Sequence, residues 1–439
     1  MSPKLMIAAV SLLAVSCSSS SDAPNPAEAG PSAQQITVDT FNLYLAGSFS
    51  PYENERRQPI IDAIASTETD ILCIQEAWRD SDKDLIIAGV KAKLPYSVMF
   101  KDNLDTKVDD PTDQNGVTPP TPDTPPCAAT EQSTKLDAVM ACIAKNCSSI
   151  PGSDEGTAVS TMCAVQLCQT EAVALLLGTA EDKKCYGCAA PLLPTDTIKQ
   201  IGTKCKTDPK AGLAFDGMSG LILLSKFPLE NPEQHVLPGT WNRRAVVRAT
   251  ARIPNGASID VYCNHTSPIF TQIAFPYTGD YGNGQTDYRG WENELMLQMQ
   301  KIVAYVDAKT PSGRAIILGD FNSGPEIKES GIEKEGVPEY LLLSNKYPEA
   351  VPADYKSKCT YCGKEDNYLA AGGPNSWIDH IFLKNIATSE VKSAQRRFTG
   401  ATVAVTPAPA PDGGDGDAGP STVPLSDHYG MSAVINIQP

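Results

Sequence analysis

Residues Ala315-Ile316-Ile317-Leu318-Gly319-Asp320-Phe321-Asn322 form an apolar run that closes on an acid and an amide. Such a run reads as a buried strand that delivers Asp320 and Asn322 where it reaches the surface, the usual placement of reacting groups. The pattern repeats along the chain. Ile378-Asp379-His380 leads into Ile381-Phe382-Leu383, Ser426-Asp427-His428 precedes Met431-Ser432-Ala433-Val434-Ile435, and Asn264-His265 follows Val261-Tyr262-Cys263. Three of the four histidines fall in these motifs. Solvated polar residues have no reason to sit repeatedly beside strand ends, so the motifs are taken as one functional cluster.

Working outward, the order of elements is strand, helix, strand. Ile36 to Asn42 alternates as a strand, Glu53 to Ala65 spaces its apolar residues as a helix does, and Asp70 to Gln75 is a short apolar strand ending at Glu76. Asn42 and Glu76 therefore also stand at strand exits. Further strands are expected at Gly220 to Ser225, Arg244 to Ile253, Ser258 to Cys263 and Arg314 to Leu318, with a helix over Tyr288 to Asp307. This order predicts an α/β sandwich.

The chain has 439 residues, more than one ordinary core accommodates, so a large domain with insertions or two domains is expected. The net charge of −16 repels polyanions, and no strong nucleic-acid binding through a broad basic face is expected. Leu5 to Val15 is apolar but too short to span a bilayer, and it ends in Ala14-Val15-Ser16-Cys17. Residues 1–16 read as a secretory signal peptide and residues 17–34, rich in Ser, Pro and Ala, as a flexible tether. Cys17 resembles the acylated cysteine of a bacterial lipoprotein, although Leu13 lies one place earlier than the usual leucine. An exported chain is expected, either a surface lipoprotein associated with the membrane through Cys17 or a secreted protein, and a monomer.

Thirteen cysteines suit an oxidising compartment. Eight of them, Cys127, Cys142, Cys147, Cys163, Cys168, Cys185, Cys188 and Cys205, crowd into residues 111–208, which read as an inserted subdomain. Lys135 to Cys147 and Val159 to Leu177 have helical spacing, so disulfide-stapled helices are expected there, with the pairing open. The pairs Cys185/Cys188 and Cys359/Cys362 are spaced as CxxC, and local disulfides are expected in preference to a shared zinc ion. Cys73 and Cys263 read as small core residues of strands. Thr406 to Pro424, packed with Pro, Gly and Asp, is expected to form a loop gating the cleft beside Ser426-Asp427-His428.

Six motifs, Thr40-Phe41-Asn42, Ile74-Gln75-Glu76, Asn264-His265-Thr266, Gly319-Asp320-Phe321-Asn322, Trp377-Ile378-Asp379-His380 and Ser426-Asp427-His428, together resemble the endonuclease/exonuclease/phosphatase superfamily, to which deoxyribonuclease I and bacterial neutral sphingomyelinases belong. The resemblance implies a four-layer α/β sandwich, two mixed β-sheets face to face with helices outside, and a catalytic domain over residues 35–439 with the cysteine-rich helical insertion inside it. It also implies roles. Glu76 would be the principal ligand of a divalent metal, with Asn42 and Asp427 close to the ion or its waters. Asp320 and Asn322 would orient the attacking water, while His265 and His428, the latter paired with Asp379, would contact the phosphate and handle protons.

The chemistry asks for the same residue types. A phosphodiester is anionic and repels its nucleophile, and hard carboxylate ligands suit Mg²⁺, or Mn²⁺ or Ca²⁺, which neutralise that charge. Histidine exchanges protons near neutrality, and a carboxylate partner fixes its tautomer. We assign His265 to the leaving group and His428 to the attacking water. No covalent intermediate is expected. His380, adjacent to Asp379 on a strand, points to the opposite face and is read as structural, and His235 as a surface residue.

The expected function is a metal-dependent phosphodiesterase that attacks with water, with a sphingomyelinase-like phospholipid substrate favoured by the spacing around Asn42, Cys359-Thr360-Tyr361 and Asp427. Two features depart from those enzymes: His380 stands where a tyrosine is common, and no aromatic hairpin for membrane insertion is evident. The alternatives are a secreted DNase-like nuclease or phosphatase, and a catalytically inactive cell-surface binding module on the same fold.

Overall fold

The computed structural model describes residues 32–100, 124–147, 167–351 and 358–439, apart from short stretches at 48–49, 194–195, 210, 212, 272–276, 280, 365–366 and 407–419. The signal and most of the tether, Cys17, Cys163 and most of the expected gating loop lie outside the described residues.

Among the described residues the strands are β1 (Gln34–Leu45), β2 (Ile71–Ala77), β3 (Tyr96–Val98), β4 (Ile222–Ser225), β5 (Leu229–Leu237), β6 (Arg244–Arg252), β7 (Ser258–His265), β8 (Ala315–Asp320), β9 (Tyr361–Cys362), β10 (Asn375–Ser376), β11 (Asp379–Lys384), β12 (Val391–Arg397), β13 (Thr402–Ala404), β14 (Thr422–Pro424) and β15 (Gly430–Ile437). Six form one mixed sheet in the order β12-β15-β1-β2-β4-β3, and five form a second in the order β11-β8-β7-β6-β5. Pairs β1/β2 and β7/β8 are parallel and the remainder antiparallel. Between the sheets lies a core that includes Val38, Leu223, Val247, Val261, Ile316, Ile381 and Ala433.

Helices cover the outer faces. The helices Glu53–Ser66 and Asp80–Val90 pack Ile60, Ile64 and Ile86 against Phe41, Leu72 and Ile74 of the first sheet. Tyr288–Lys309 sets Leu295, Met299, Ile302 and Val306 on Tyr262, Ile317 and Phe382 of the second. With both faces covered, every residue of β8 and of β11 is buried, which is why these strands read as continuous apolar runs rather than alternating ones. The α/β four-layer sandwich is present. Among the described residues no helix is long and apolar enough to cross a membrane.

The cysteine-rich region contributes the helices Thr130–Asn146, Gln169–Leu176, Ala180–Leu192 and Ile198–Thr207 around a cluster of their own, including Leu136, Ile143, Leu175 and Ile201. Disulfides Cys127–Cys185, Cys142–Cys168 and Cys188–Cys205 staple it. The local pairing expected for Cys185 and Cys188 is therefore corrected: both lie on one helix, where each meets a cysteine of another segment. Cys359 and Cys362 do pair locally. Cys73 and Cys263 are not free core thiols. They form a disulfide that joins β2 of one sheet to β7 of the other across the sandwich.

Candidate active site

Strand register assembles half of the site. His265 pairs with Asp320 across β7/β8, and Asp320 pairs with Asp379 across β8/β11, so the three stand in one row and share a face of the sheet. Gly319 makes this row accessible to β7: at φ 152°, a Cβ there would lie 2.1 Å from the Asn264 carbonyl oxygen. The first sheet supplies the rest. Asn42 pairs with Gln75 near the ends of β1 and β2, just before a β-bulge after which Leu45 pairs with Ala77, and Glu76 sits in that irregular stretch at φ 56°. Tyr44 and Asn322 are also left-handed, at φ 51° and 44°. Such backbone is unfavourable for side-chain-bearing residues and gathers at sites where surrounding contacts enforce it.

The two sheets meet through hydrogen bonds. Asn42 Nδ2 donates to Asp320 Oδ2 at 2.9 Å and to Glu76 Oε1 at 3.1 Å. Asn322 N donates to Asp320 Oδ1 at 2.9 Å, while Asn322 Nδ2 donates to the Thr266 carbonyl at 2.9 Å. His265 Nε2 lies 3.6 Å from Asp320 Oδ2 and 3.8 Å from Glu76 Oε1. On the other side His428 Nδ1 meets Asp379 Oδ2 at 2.8 Å and His428 Nε2 lies 3.7 Å from Asp320 Oδ2. Asp320 is thus the common neighbour of both imidazoles.

The segment that carries His428 is clamped from below. Ser426 Oγ donates to the Asn42 carbonyl at 2.7 Å, and Asn367 Nδ2 donates to the carbonyls of Ser426 and Asp427. Arg56, buried in the helix Glu53–Ser66, donates to the carbonyls of Leu43, Tyr44 and Leu425 and to Ser50 Oγ. It holds the exit of β1 against residues 425–428.

Burial and charge set the protonation states. Burial, then Arg244 and His428, hold the His265 imidazole well below its ordinary range, so it is neutral near pH 7. Burial opposes ionisation of His428 as well, but Asp379, Asp427 and Asp320 outweigh it and hold its imidazolium well above the usual range. Asp320, raised by burial and by Asp379, comes up to about 6. Burial likewise raises Asp427. The two imidazoles are thus held in opposite states, His265 toward the neutral form and His428 toward the cation.

The donor chemistry fits a hard cation. Two groups of side chains bring their ligand atoms within 4.8 Å of one another, Glu76/His265/Asp320 and Asp320/Asp379/His428. Glu76 is the accessible acid, its side chain 20% exposed against 1% for Asp320. Its Oε2 takes part in no hydrogen bond among the described residues. Asp427 lies outside both groups, with Oδ1 accepting from Ser426 Oγ. Asn42, expected close to the ion or its waters, has its Oδ1 accepting from Tyr44 N–H at 3.0 Å and its amide nitrogen donating to Glu76 and Asp320.

Arg244 and Glu335 carry no motif that sequence could flag, whereas Tyr361 lies in the Cys359-Thr360-Tyr361 stretch. Arg244 Nη1 meets His265 Nε2 at 2.6 Å, and Glu335, raised by desolvation and by Asp320 to about 7, faces the Asp320 and His428 side. The Tyr361 ring stands 5.3 Å from that of His428. Of the remaining histidines, His380 bonds Glu349 and the Ser323 carbonyl on the far side of the strand. His235 is not on the surface. It is buried and stacked on Tyr305 with rings 4.3 Å apart.

The model of the Endonuclease/Exonuclease/phosphatase family matches residues 40–428. Among solved structures, the chain is similar to sphingomyelinase C from Streptomyces griseocarneus, with a TM-score of 0.50 at 14% identity over 92% of this chain and 100% of that one. It is also similar to a beta toxin variant from Staphylococcus aureus with bound magnesium ions, with a TM-score of 0.48 at 13% identity over 91% and 99%. A stretch of 70 residues is 36% identical to a Drosophila melanogaster protein named "Putative neutral sphingomyelinase". That match spans 15% of this chain and 15% of the relative's length.

Proposed function

Because the chain belongs to the endonuclease/exonuclease/phosphatase family, whose members hydrolyse phosphoester bonds, we propose that it is a Mg²⁺-dependent phosphodiesterase acting on a sphingomyelin-like phospholipid. The observation that carries the hydrolytic reading is the convergence of Asp320 with both His265 and His428, at 3.6 and 3.7 Å, beside the accessible Glu76. A divalent ion held by Glu76, with Asp427 nearby, would supply charge neutralisation for the phosphate.

The chain's own residues divide the proton transfers. Asp320, raised by its burial toward neutrality, is fixed through Oδ1 by Asn322 N–H and through Oδ2 by Asn42, and takes the proton of the attacking water. As the new P–O bond forms and the old one breaks, the leaving oxygen takes a proton from His428 Nε2. Asp379 holds Nδ1–H of that ring and stabilises its cationic state before transfer. His265, kept neutral, orients the phosphate with Arg244 behind it.

The names of the two sphingomyelinase-like relatives and the net charge of −16, which disfavours a polyanionic substrate, support the lipid over DNA. An exported monomer, with disulfides and a lipid-anchored Cys17, suits a membrane substrate. The test is hydrolysis of sphingomyelin vesicles beside plasmid DNA and inositol phosphates, all with Mg²⁺. Phosphocholine release is the expected result. Nicked DNA without it would replace this reading with a nuclease, phosphate release from inositol phosphates alone with a phosphatase, and no turnover of any substrate with a binding module.

A further inference from the structure

The chain returning from the cysteine-rich insertion meets the active site through one aromatic ring. After the helix Ile198–Thr207 it passes through Ala214, Phe215 and Gly217 on its way to β4. Ala214 N–H donates to the Trp241 carbonyl at 2.9 Å, and Arg243 Nε donates to the Gly217 carbonyl at 2.8 Å. The return segment is therefore bonded to the residues just before β6. Within the insertion, Tyr186, Gly187 and Ala190 of the helix Ala180–Leu192 line the same small cleft as Trp241, so a helix of the subdomain and its return segment both bear on this point.

Phe215 adopts φ 56°, a left-handed conformation rare for a bulky residue. There its ring lies flat on Trp78, with centroids 4.7 Å apart and planes 6° from parallel. Trp78 in turn carries the Arg244 guanidinium at 5.6 Å and the His265 ring at 5.8 Å. The polar atoms show why this support matters. Neither Arg244 Nε nor His265 Nδ1 has a hydrogen-bond partner among the described residues. Apart from the 2.6 Å contact between Arg244 Nη1 and His265 Nε2 and the approach of that imidazole nitrogen to Asp320 and Glu76, the face of Trp78 is the surface against which both groups are set.

We propose that Phe215 is a positioning residue for His265. The insertion clamps Trp78 through Phe215, Trp78 holds Arg244, and Arg244 sets the rotation of the imidazole. Phe215 itself touches no reacting atom. The inference rests on the hydrolytic reading of the site, and it gives the insertion a part in the chemical step rather than in selectivity alone.

The experiment compares the full chain with Phe215→Ala, Phe215→Leu and Phe215→Tyr on bis-p-nitrophenyl phosphate with Mg²⁺, and follows the histidine ring resonances by NMR, with His265→Gln assigning the signal. Phe215→Ala is expected to lower kcat about three- to tenfold with KM little changed, as loss of one aromatic stack would. Phe215→Tyr should restore kcat and Phe215→Leu should not, because volume without a flat ring cannot clamp an indole. The His265 resonance should move in the Ala and Leu variants while those of His235 and His380 stay. An unmoved His265 signal, wild-type kcat in the Ala variant, or full rescue by Leu would overturn the proposal. If the unaltered protein fails to hydrolyse the diester, the activity falls, while the NMR comparison still decides the positioning.

Discussion

Replacing Asp379 with Asn isolates the pair on which the proton transfer rests. Asp379 Oδ2 accepts from His428 Nδ1 at 2.8 Å, and both side chains are buried. Asparagine keeps the shape and an acceptor oxygen but removes the charge. A hydrogen bond to a charged group contributes roughly 1.5–3 kcal/mol. Loss of that stabilisation from the imidazolium corresponds to about 10- to 150-fold in rate. The direction of the pH effect follows from the same geometry. Asp379 is the largest of the charges that raise His428, so its removal lowers the imidazolium pKa, and activity should be lost at a lower pH on the basic side. Stability should not follow activity, because Asp379 also presses on Asp320, and that repulsion disappears. The assay is kcat on bis-p-nitrophenyl phosphate across pH, beside the thermal midpoint. A variant that folds normally, keeps kcat within about twofold and leaves the basic limb unmoved would refute the assignment of His428 as proton donor.

Three further outcomes are expected. Asp39 is raised by burial from 3.8 to about 6, so the stability it contributes as a neutral acid is present at low pH and lost as pH rises through that value; Asp39→Asn should exceed the unaltered protein by up to about 3 kcal/mol near pH 8 and match it near pH 4, as urea denaturation would report. Removing the inter-sheet disulfide with Cys73→Ala and Cys263→Ala opens a link across a separation of 190 residues, with the disulfides Cys127–Cys185, Cys142–Cys168 and Cys188–Cys205 nested inside it; a loss of about 3–5 kcal/mol is expected, and under 1 kcal/mol would show that the sheets do not need the link. Mg²⁺ at about 100 times its dissociation constant should stabilise the protein by about 2.7 kcal/mol, and Glu76→Gln should erase that shift in a thermal scan; an equal shift in both would place the ion elsewhere.

The sequence showed strand ends well and partners across space poorly. The polar residues that close Ala315–Leu318, Val261–Cys263 and the run after Asp379 all stand at one edge, because an apolar strand buried on both faces has one place to expose an acid. Helix and strand bounds moved by only a few residues for the same reason: Tyr288–Lys309 and β7 extend slightly past the apolar periodicity. What could not be read is long-range. Cys73 and Cys263 each look like a small core residue on its own strand, and only the stacking of the sheets brings them together. His235 sits in a polar stretch, yet its strand turns it beneath the helix that carries Tyr305. The charge states of the two active-site histidines depend on burial, on Arg244 beside His265 and on Asp379 and Asp427 beside His428. Arg244 has no motif to announce it, and Phe215 lies in a turn whose left-handed backbone leaves no mark on composition.

The most direct measurement is release of p-nitrophenol from bis-p-nitrophenyl phosphate by the full chain with Mg²⁺, with excess EDTA, and by Glu76→Gln with Mg²⁺. Acids and imidazoles gathered around one hard cation should give hydrolysis in the first case and none above background in the other two. Equal release in all three would contradict the metal-assisted site built on Glu76, Asp320 and His428.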